Sequence, residues 1–400
     1  MSPSAQAAVG AYLRYVCEAG LSPQMDELLT HGWQHWPSEL RRRFPHLATW
    51  PGLLGLRERL KRAAAAHAGS RVLFCNRSSQ LMQFAGQLLF GPCKNVMLTD
   101  CTWPNYETIL RRHLGHAGRS VSKVAVREPL LRGQMSKDEL VEHLANEFVR
   151  RHCDGLFLPA VDNFGIAFPV QDIVDRISLV AMLRFVVVDG VQAFGHVAAN
   201  LSQDYCDFYF TGCHKWLGAG IPMGIGFYGK RRSVGYIETR LSQSLQLHVV
   251  DDPLLVFSEG LIRGVPYPFG ETVNLLPLIA CSGALSDLGI RDGERDEEAE
   301  KFGGAALAAS ASEQGWQSLQ PDDALRSSIV MLERPGPTNA EDAGELRKDF
   351  ADHGIYLSSY GEGRIRLALP PRILSASELD IFDQAMRAVT RRAPSVRVGR

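Results

Sequence analysis

The chain contains no apolar run near the ~20 residues that a bilayer-spanning helix requires, so no membrane segment is expected. It has no surplus of either charge: Lys and Arg number 43, Asp and Glu 44, for a formal net charge of −1. A nucleic-acid backbone or an anionic bilayer surface would find no basic field to hold it. Cysteine is sparse. Eight in 400 residues, with no Cys-x-x-Cys pair, are too few for a disulfide scaffold. Cys206 and Cys213 have no histidine pair at zinc-finger spacing, and the adjacent Cys213-His214 suits neither a helix-face nor a strand-face metal site. Reduced, mostly buried thiols and no metal are expected. The segment from Ser282 to Arg400 has no cysteine at all. The opening residues Met1-Ser2-Pro3-Ser4-Ala5-Gln6 lack the positive start and apolar core of a secretory signal, which gives the expectation of a cytoplasmic protein. No internal repeat or low-complexity stretch is evident.

What is present is enough sequence for a large core and two or three domains. Residues 1–60 read as an N-terminal arm, with a helix over Ala5 to Ala19 and a cluster of large aromatics at Trp33, Trp36, Phe44 and Trp50. The cluster reads as an arm laid on the large domain or on a partner subunit rather than as a substrate site. Leu53 to Ala68 reads as a helix with Arg57-Glu58-Arg59 on its solvated side. Residues 61–286 alternate short apolar strands with helical stretches, the sequence form of a doubly wound α/β sheet. The strands expected there are Val72 to Cys75, Asn95 to Leu98, Gly155 to Leu158, Phe185 to Val188 and Phe208 to Phe210. Residues 287–400 change to a small α+β unit, with strands at Ser328 to Leu332, Ile355 to Leu357 and Arg364 to Leu369 and a helix over Ala340 to His353. Ser136-x-x-Glu139 and Ser375-x-x-Glu378 are capping boxes, the second opening a final helix whose apolar stripe is Leu379, Phe382, Met386 and Val389.

The chemistry concentrates in two pieces, Phe185-Val186-Val187-Val188-Asp189-Gly190 and Asp207-Phe208-Tyr209-Phe210-Thr211-Gly212-Cys213-His214-Lys215-Trp216. An apolar run of four reads as a strand buried on both faces inside a parallel sheet. Asp189 then falls at the carboxyl end of a strand, where open α/β sheets gather ligands. Lys215 follows a second such strand, between aromatic and glycine residues. Partial desolvation there is expected to lower its pKa and free its amine as a nucleophile. An amine nucleophile with a carboxylate is what pyridoxal 5′-phosphate requires: the lysine forms the Schiff base, and the carboxylate keeps the pyridine nitrogen protonated.

These residues resemble the class V aminotransferase family of fold-type I pyridoxal-phosphate enzymes, which includes transaminases, cysteine desulfurases, kynureninases and isopenicillin N epimerase-like proteins. The resemblance covers roughly residues 70 to 370, and its stations occur in the family's order. It implies a large, mostly parallel cofactor domain with a small α+β domain, and Lys215 as the Schiff-base residue and general base. It also implies Asp189 at the ring nitrogen, Gln192 at the ring oxygen, Asn163 beside the cofactor and Trp103 stacked on the ring. Ser78 and Ser79 would bind phosphate, and His214 would contact the cofactor. Gly270-Glu271-Thr272-Val273-Asn274 resembles the segment whose threonine reaches a neighbouring subunit's phosphate, so the resemblance implies a homodimer with shared sites. In Gly363-Arg364-Ile365-Arg366-Leu367 the two arginines share a strand face, and family position selects Arg366 over Arg364 as the clamp on a substrate carboxylate. The chain departs from the family by placing Gly212, preceded by Thr211, where a hydroxyl residue usually stands three before the lysine, and Glu271 where a glycine precedes Thr272.

One other motif competes. Gly224-Ile225-Gly226-Phe227-Tyr228-Gly229 fits the G-x-G-x-x-G dinucleotide fingerprint, which needs a strand before it and a helix after it. Here the glycines alternate with apolar residues as though inside a strand. The expectation is therefore a pyridoxal-phosphate enzyme acting at the α-carbon of an amino acid. Transamination is favoured, with β/γ-elimination, C–S lysis or epimerisation open. Persulfide-forming desulfuration is disfavoured by the missing downstream cysteine. A silent relative keeping only the fold would be expected to lack Lys215 or Asp189, and both are present.

Overall fold

The apolar runs form the inside of one sheet. The protein is described by a computed structural model covering residues 1–19, 29–114, 118–246, 251–264, 273–294, 297–334, 342–370 and 372–392. Seven strands, β1 (Arg71–Cys75), β2 (Asn95–Thr99), β3 (Ser120–Val124), β4 (Gly155–Pro159), β5 (Phe185–Asp189), β6 (Phe208–Gly212) and β7 (Gly224–Tyr228), assemble in the order β1-β7-β6-β5-β4-β2-β3. All run parallel except β7, which is antiparallel to both β1 and β6. Every residue of the inner strands β4 to β7 is buried, the expected consequence of covering a parallel sheet on both faces. The edge strand β3, Ser-Val-Ser-Lys-Val, is half-exposed and alternates with polar residues, so it carries no apolar run to read from sequence.

The G-x-G-x-x-G stretch is β7 itself. A strand antiparallel to both neighbours, leading into a turn at Lys230 to Ser233 before the helix Val234–Gln246, is not a dinucleotide fold. Its glycines serve close packing instead: a Cβ on Gly226 would come 3.0 Å from the Phe208 ring.

The chain divides into two compact units. The first comprises Met1–Val124, Val141–Val161 and Pro169–Ile290; the second comprises Ala125–Leu140, Asp162–Phe168 and Arg291–Arg400. Within the first unit, the helix Pro3–Ala19 lies against the helix Leu276–Glu294, with Ser4 bonded to Asp287. Tyr15 meets Phe44 edge-on at 4.8 Å and Trp36 at 5.7 Å, so most of the aromatic cluster is core. Of the solvated side expected at Arg57-Glu58-Arg59 on the helix Gly52–Ala63, Glu58 is exposed, but the two arginines are corrected by the structure. Arg57 pairs with the buried Glu259 and Arg59 bonds Ser282 and Ser286, because that face turns to the helices Pro253–Ile262 and Leu276–Glu294.

The second unit holds a four-stranded antiparallel sheet ordered β10-β11-β9-β8, from β8 (Gln317–Leu319), β9 (Ile329–Glu333), β10 (Ser358–Tyr360) and β11 (Arg364–Ala368). The strand expected at Ile355 to Leu357 is displaced to Ser358–Tyr360, after the bonded turn that closes the preceding helix. Phe382, Met386 and Val389 of the final helix Ala376–Arg392 are buried in this unit's core, with Leu379 packed against it. Both capping boxes close reciprocally: the Ser136 and Ser375 amides donate to Glu139 and Glu378 at 2.8 Å, and each glutamate's own amide donates back to its serine. No helix among the described residues is long and apolar enough to cross a membrane, and none of their histidine, cysteine and acidic side chains group as a metal site.

Candidate active site

In the first unit the site is built on the carboxyl ends of β5 and β6. β5 ends in Asp189, buried with the rest of its strand, whose Oδ1 accepts the Val191 amide at 2.9 Å. Burial pushes its carboxyl up to about 6, against the Val191 amide and the Lys215 cation, which pull the other way. β6 pairs in parallel with β5, placing Phe210 opposite Asp189. The Thr211 hydroxyl donates to the Gly190 carbonyl at 3.0 Å and is therefore spent on holding the two strand ends together.

Past Gly212 the chain turns through Cys213 and His214 to Lys215. The turn is closed by the Gly218 amide on the Lys215 carbonyl (3.1 Å) and the Ala219 amide on the Cys213 carbonyl (3.0 Å). Gly218 has φ +84°, a conformation that a residue with a Cβ rarely adopts. Lys215 is exposed, contrary to the desolvation expected from its flanking residues. The reason is local: the last ladder pair is Gly212 with Gly224, so the loop rises beyond the sheet rather than staying within it. His214 is half-buried, its Nδ1 enclosed without a hydrogen-bond partner, and burial followed by the Lys215 charge pushes its pKa down. Gln192, three residues after Asp189, accepts the Trp216 indole N–H at 2.9 Å.

Ser78 and Ser79 open the helix Ser78–Leu89, which has no capping side chain and no acidic residue in its first turn. Helix starts of this kind are a usual setting for an anion, although the Asp252 carboxylate already accepts the Asn76 amide just before it at 2.8 Å. The Ser78 hydroxyl lies 3.1 Å from the Tyr106 hydroxyl. Trp103 stands just before the helix Pro104–Arg112, 43% exposed despite its large apolar ring. Gly224 ties the turn to the lysine loop: it pairs with Gly212, and a Cβ on it would lie 2.7 Å from the Arg77 carbonyl and 2.8 Å from the Ser78 nitrogen. Gly224→Ala should therefore displace the anion turn. The expected result is a loss of about 1–3 kcal/mol in stability with weakened binding of a phosphate-bearing ligand, measured by thermal unfolding and titration calorimetry. Unchanged ligand affinity would show that the turn is not the anion site.

Within the second unit, Asn163 has its amide oxygen buried without a partner. The neighbouring Asp162 is committed locally, accepting the Phe164 and Ile166 amides at 2.9 and 2.8 Å with Arg127 at 4.0 Å, and burial pushes its carboxyl up to about 6. Arg364 is occupied by Glu333 (2.8 Å), Glu128 (2.6 and 3.2 Å) and Glu362 (3.2 Å). Arg366, half-buried, shares its strand face, opposite the core residues Ile365 and Leu367. Thr272 lies outside the described residues. Sequence reading missed Tyr106, Trp216, His196 and Gly224. Tyr106 stands one helical turn after Trp103, and Trp216 adjoins the lysine, but His196 carries no signal in the sequence.

The family model described as Aminotransferase class-V matches residues 132–245. Among solved structures, ureidoglycine-glyoxylate aminotransferase from Bacillus subtilis is 15% identical with TM-score 0.62, covering 85% of this chain and 84% of its own. A cysteine desulfurase from Thermococcus onnurineus is 12% identical with TM-score 0.67, covering 96% and 92%. The cystine C-S lyase C-DES is 16% identical with TM-score 0.66, covering 98% and 94%. No curated protein sequence matches. At these identities the structural likeness speaks for the fold, and the α/β architecture is the one expected from the sequence.

Proposed function

We propose that this chain works as a class V aminotransferase-like enzyme on the α-carbon of an amino acid through Lys215, with transamination as its reaction. The cofactor is pyridoxal 5′-phosphate. The observation that carries the reading is the buried carboxyl of Asp189 beside the Lys215 loop. A carboxyl held near 6 by burial suits a cationic N–H, which would restore its charge without water. The rest of the first unit's cluster fits the same group: an uncapped helix start with two serines for the phosphate, a half-exposed indole for the ring, and Gln192 for the ring oxygen.

When bound, the cofactor supplies an electron sink for the carbanion formed at the α-carbon. The side chains do the remainder. The Lys215 amine takes the proton from the α-carbon and returns one, an exchange helped by its position on a closed turn. Asp189 holds the opposing charge at the end of β5. His214, its pKa lowered, stays neutral beside Lys215 and adds no second positive charge near neutral pH. Arg366 would take the substrate carboxylate with its planar fork; the full engagement of Arg364 by three glutamates supports this assignment over its neighbour. Asn163, with its unpaired amide oxygen, fits a further polar contact. A homodimer in which Thr272 reaches the partner's phosphate completes the reading. The absence of cysteine after Cys281 supports excluding a Cys-dependent desulfurase, whose attacking thiol would lie much further beyond the lysine.

A panel of amino donors with pyruvate, 2-oxoglutarate and glyoxylate tests the reaction. A new amino acid formed from the acceptor is the expected result. Ammonia and a keto acid released without acceptor would replace transamination by elimination or C–S lysis, and inversion of the donor's α-carbon would mark an epimerase. If no such product forms with any donor, the reading fails.

A further inference from the structure

We infer that Trp216 is a positioning residue that fixes which end of the Gln192 carboxamide meets the cofactor's ring oxygen. The inference rests on the reading of Gln192 as a cofactor ligand. An indole N–H can only donate, so the amide atom facing it at 2.9 Å is the oxygen. In a planar carboxamide that turns the NH₂ group to the other side. Gln192 is thereby set as a donor toward a ring oxygen, and the reversed amide would present a second acceptor lone pair to it instead.

The indole is itself held. His196, 3% exposed, stacks on Trp216 with ring centroids 3.6 Å apart and planes 17° from parallel. The His196 Nδ1 lies 2.9 Å from the Gln192 backbone carbonyl, which can only accept, so this nitrogen carries its hydrogen. The Ala193 and Phe194 amides both return to the Gly190 carbonyl, at 2.9 Å each, and fix the turn that begins at Asp189. Gly195, at φ +79°, brings the end of that turn against the second loop: a Cβ there would sit 2.9 Å from the Leu217 nitrogen. The Asp189 turn and the Lys215 loop are thus joined side chain to side chain and backbone to backbone, with the amide of Gln192 between them.

The consequence is electrostatic. Pyridoxal phosphate held by Lys215 would share a proton between its ring oxygen and the linking nitrogen. A Gln192 N–H aimed at that oxygen would stabilise its negative charge and loosen its hold on the proton, so that the nitrogen would deprotonate at lower pH. Without the indole N–H the amide can reverse, and the deprotonation moves to higher pH.

The test is the pH titration of the bound cofactor's visible absorption in the holoenzyme, for the parent, Trp216→Phe, Gln192→Glu and the double variant. Phenylalanine keeps an aromatic ring against His196 and removes the N–H together with the rest of the five-membered ring, a loss of volume that the Gln192→Glu background carries equally. Trp216→Phe should raise the midpoint by roughly half a unit to one unit. In the Gln192→Glu background the same change should move it far less, because the two ends of a carboxylate are equivalent. Equal shifts in the two backgrounds, or none with Trp216→Phe, would overturn the inference while leaving the functional reading standing. A parent that takes up no cofactor overturns the functional reading, and this inference with it. A second measurement needs no cofactor: hydrogen exchange of the Trp216 indole in the cofactor-free protein should quicken in Gln192→Ala. Unchanged exchange would mean that the bond does not hold the amide.

Discussion

Lys215→Ala should abolish the visible absorption of the lysine-linked cofactor and lower kcat by roughly 10³-fold or more, since it removes the covalent anchor and a general base together. Stability should hardly change. Lys215 is exposed on its turn, and substitutions at such positions cost within about ±0.5 kcal/mol. The pair of results separates chemistry from folding. Absorption measured with added pyridoxal phosphate, together with thermal unfolding of both proteins, provides the check. A variant that keeps the parent's spectrum and turnover would remove Lys215 from the mechanism. Lys215→Arg should behave like the alanine variant in both respects, because a guanidinium keeps the charge but cannot act as the nucleophile.

Asp189→Asn should have effects of opposite sign on stability and on activity. Burial holds the folded carboxyl at about 6 against an ordinary 3.8, so between those values the folded chain binds more protons than the unfolded one. Stability from this group is therefore greatest at low pH and falls as pH rises through the window, reaching its full loss above about 6. An asparagine never ionises and avoids that loss. At pH 8 the cofactor-free variant should be more stable than the cofactor-free parent by on the order of 1–3 kcal/mol, a difference that disappears near pH 4. Activity should move the other way, falling about 10²–10³-fold, because a neutral amide cannot keep the ring nitrogen charged. Denaturant unfolding at the two pH values and steady-state kinetics measure both arms. A cofactor-free variant less stable than the parent at pH 8 would show that the Asp189 carboxylate is stabilised by the fold itself.

The strand ending in Asp189 and the strand leading to Lys215 were legible because an inner parallel strand must be apolar on both faces, and five buried residues ending in Asp leave a plain mark in sequence. The edge strand Ser120–Val124 was not, since exposure on one side lets polar residues alternate through it. The helix with Arg57 and Arg59 misled for a related reason: charged heads pair with Glu259 and with serines across a packed face, and sequence periodicity does not separate a paired charge from a solvated one. The same limit applies to Lys215. Flanking aromatic and glycine residues suggested desolvation, but exposure was decided by where the ladder ends, at Gly212. The Gln192–Trp216–His196 cluster was beyond reach because its members are brought together by two turns on different strands, and only Gln192 had a place in the pattern.

The position of β7 also bears on the order in which the polypeptide can assemble. Among the described residues β1 has β7 as its sheet partner, and β7 is the last of the seven strands to leave the ribosome. A nascent chain ending near residue 220 already carries Ser78, Asp189 and Lys215, yet among the described residues its first strand has no hydrogen-bonded neighbour in the sheet. The insertion of β7 joins β1 to β6 and sets Gly224 against Ser78, closing a loop of long sequence separation at entropic cost. On the proposed reading, capture of a phosphate-bearing cofactor at Ser78 would await synthesis of the chain through Tyr228.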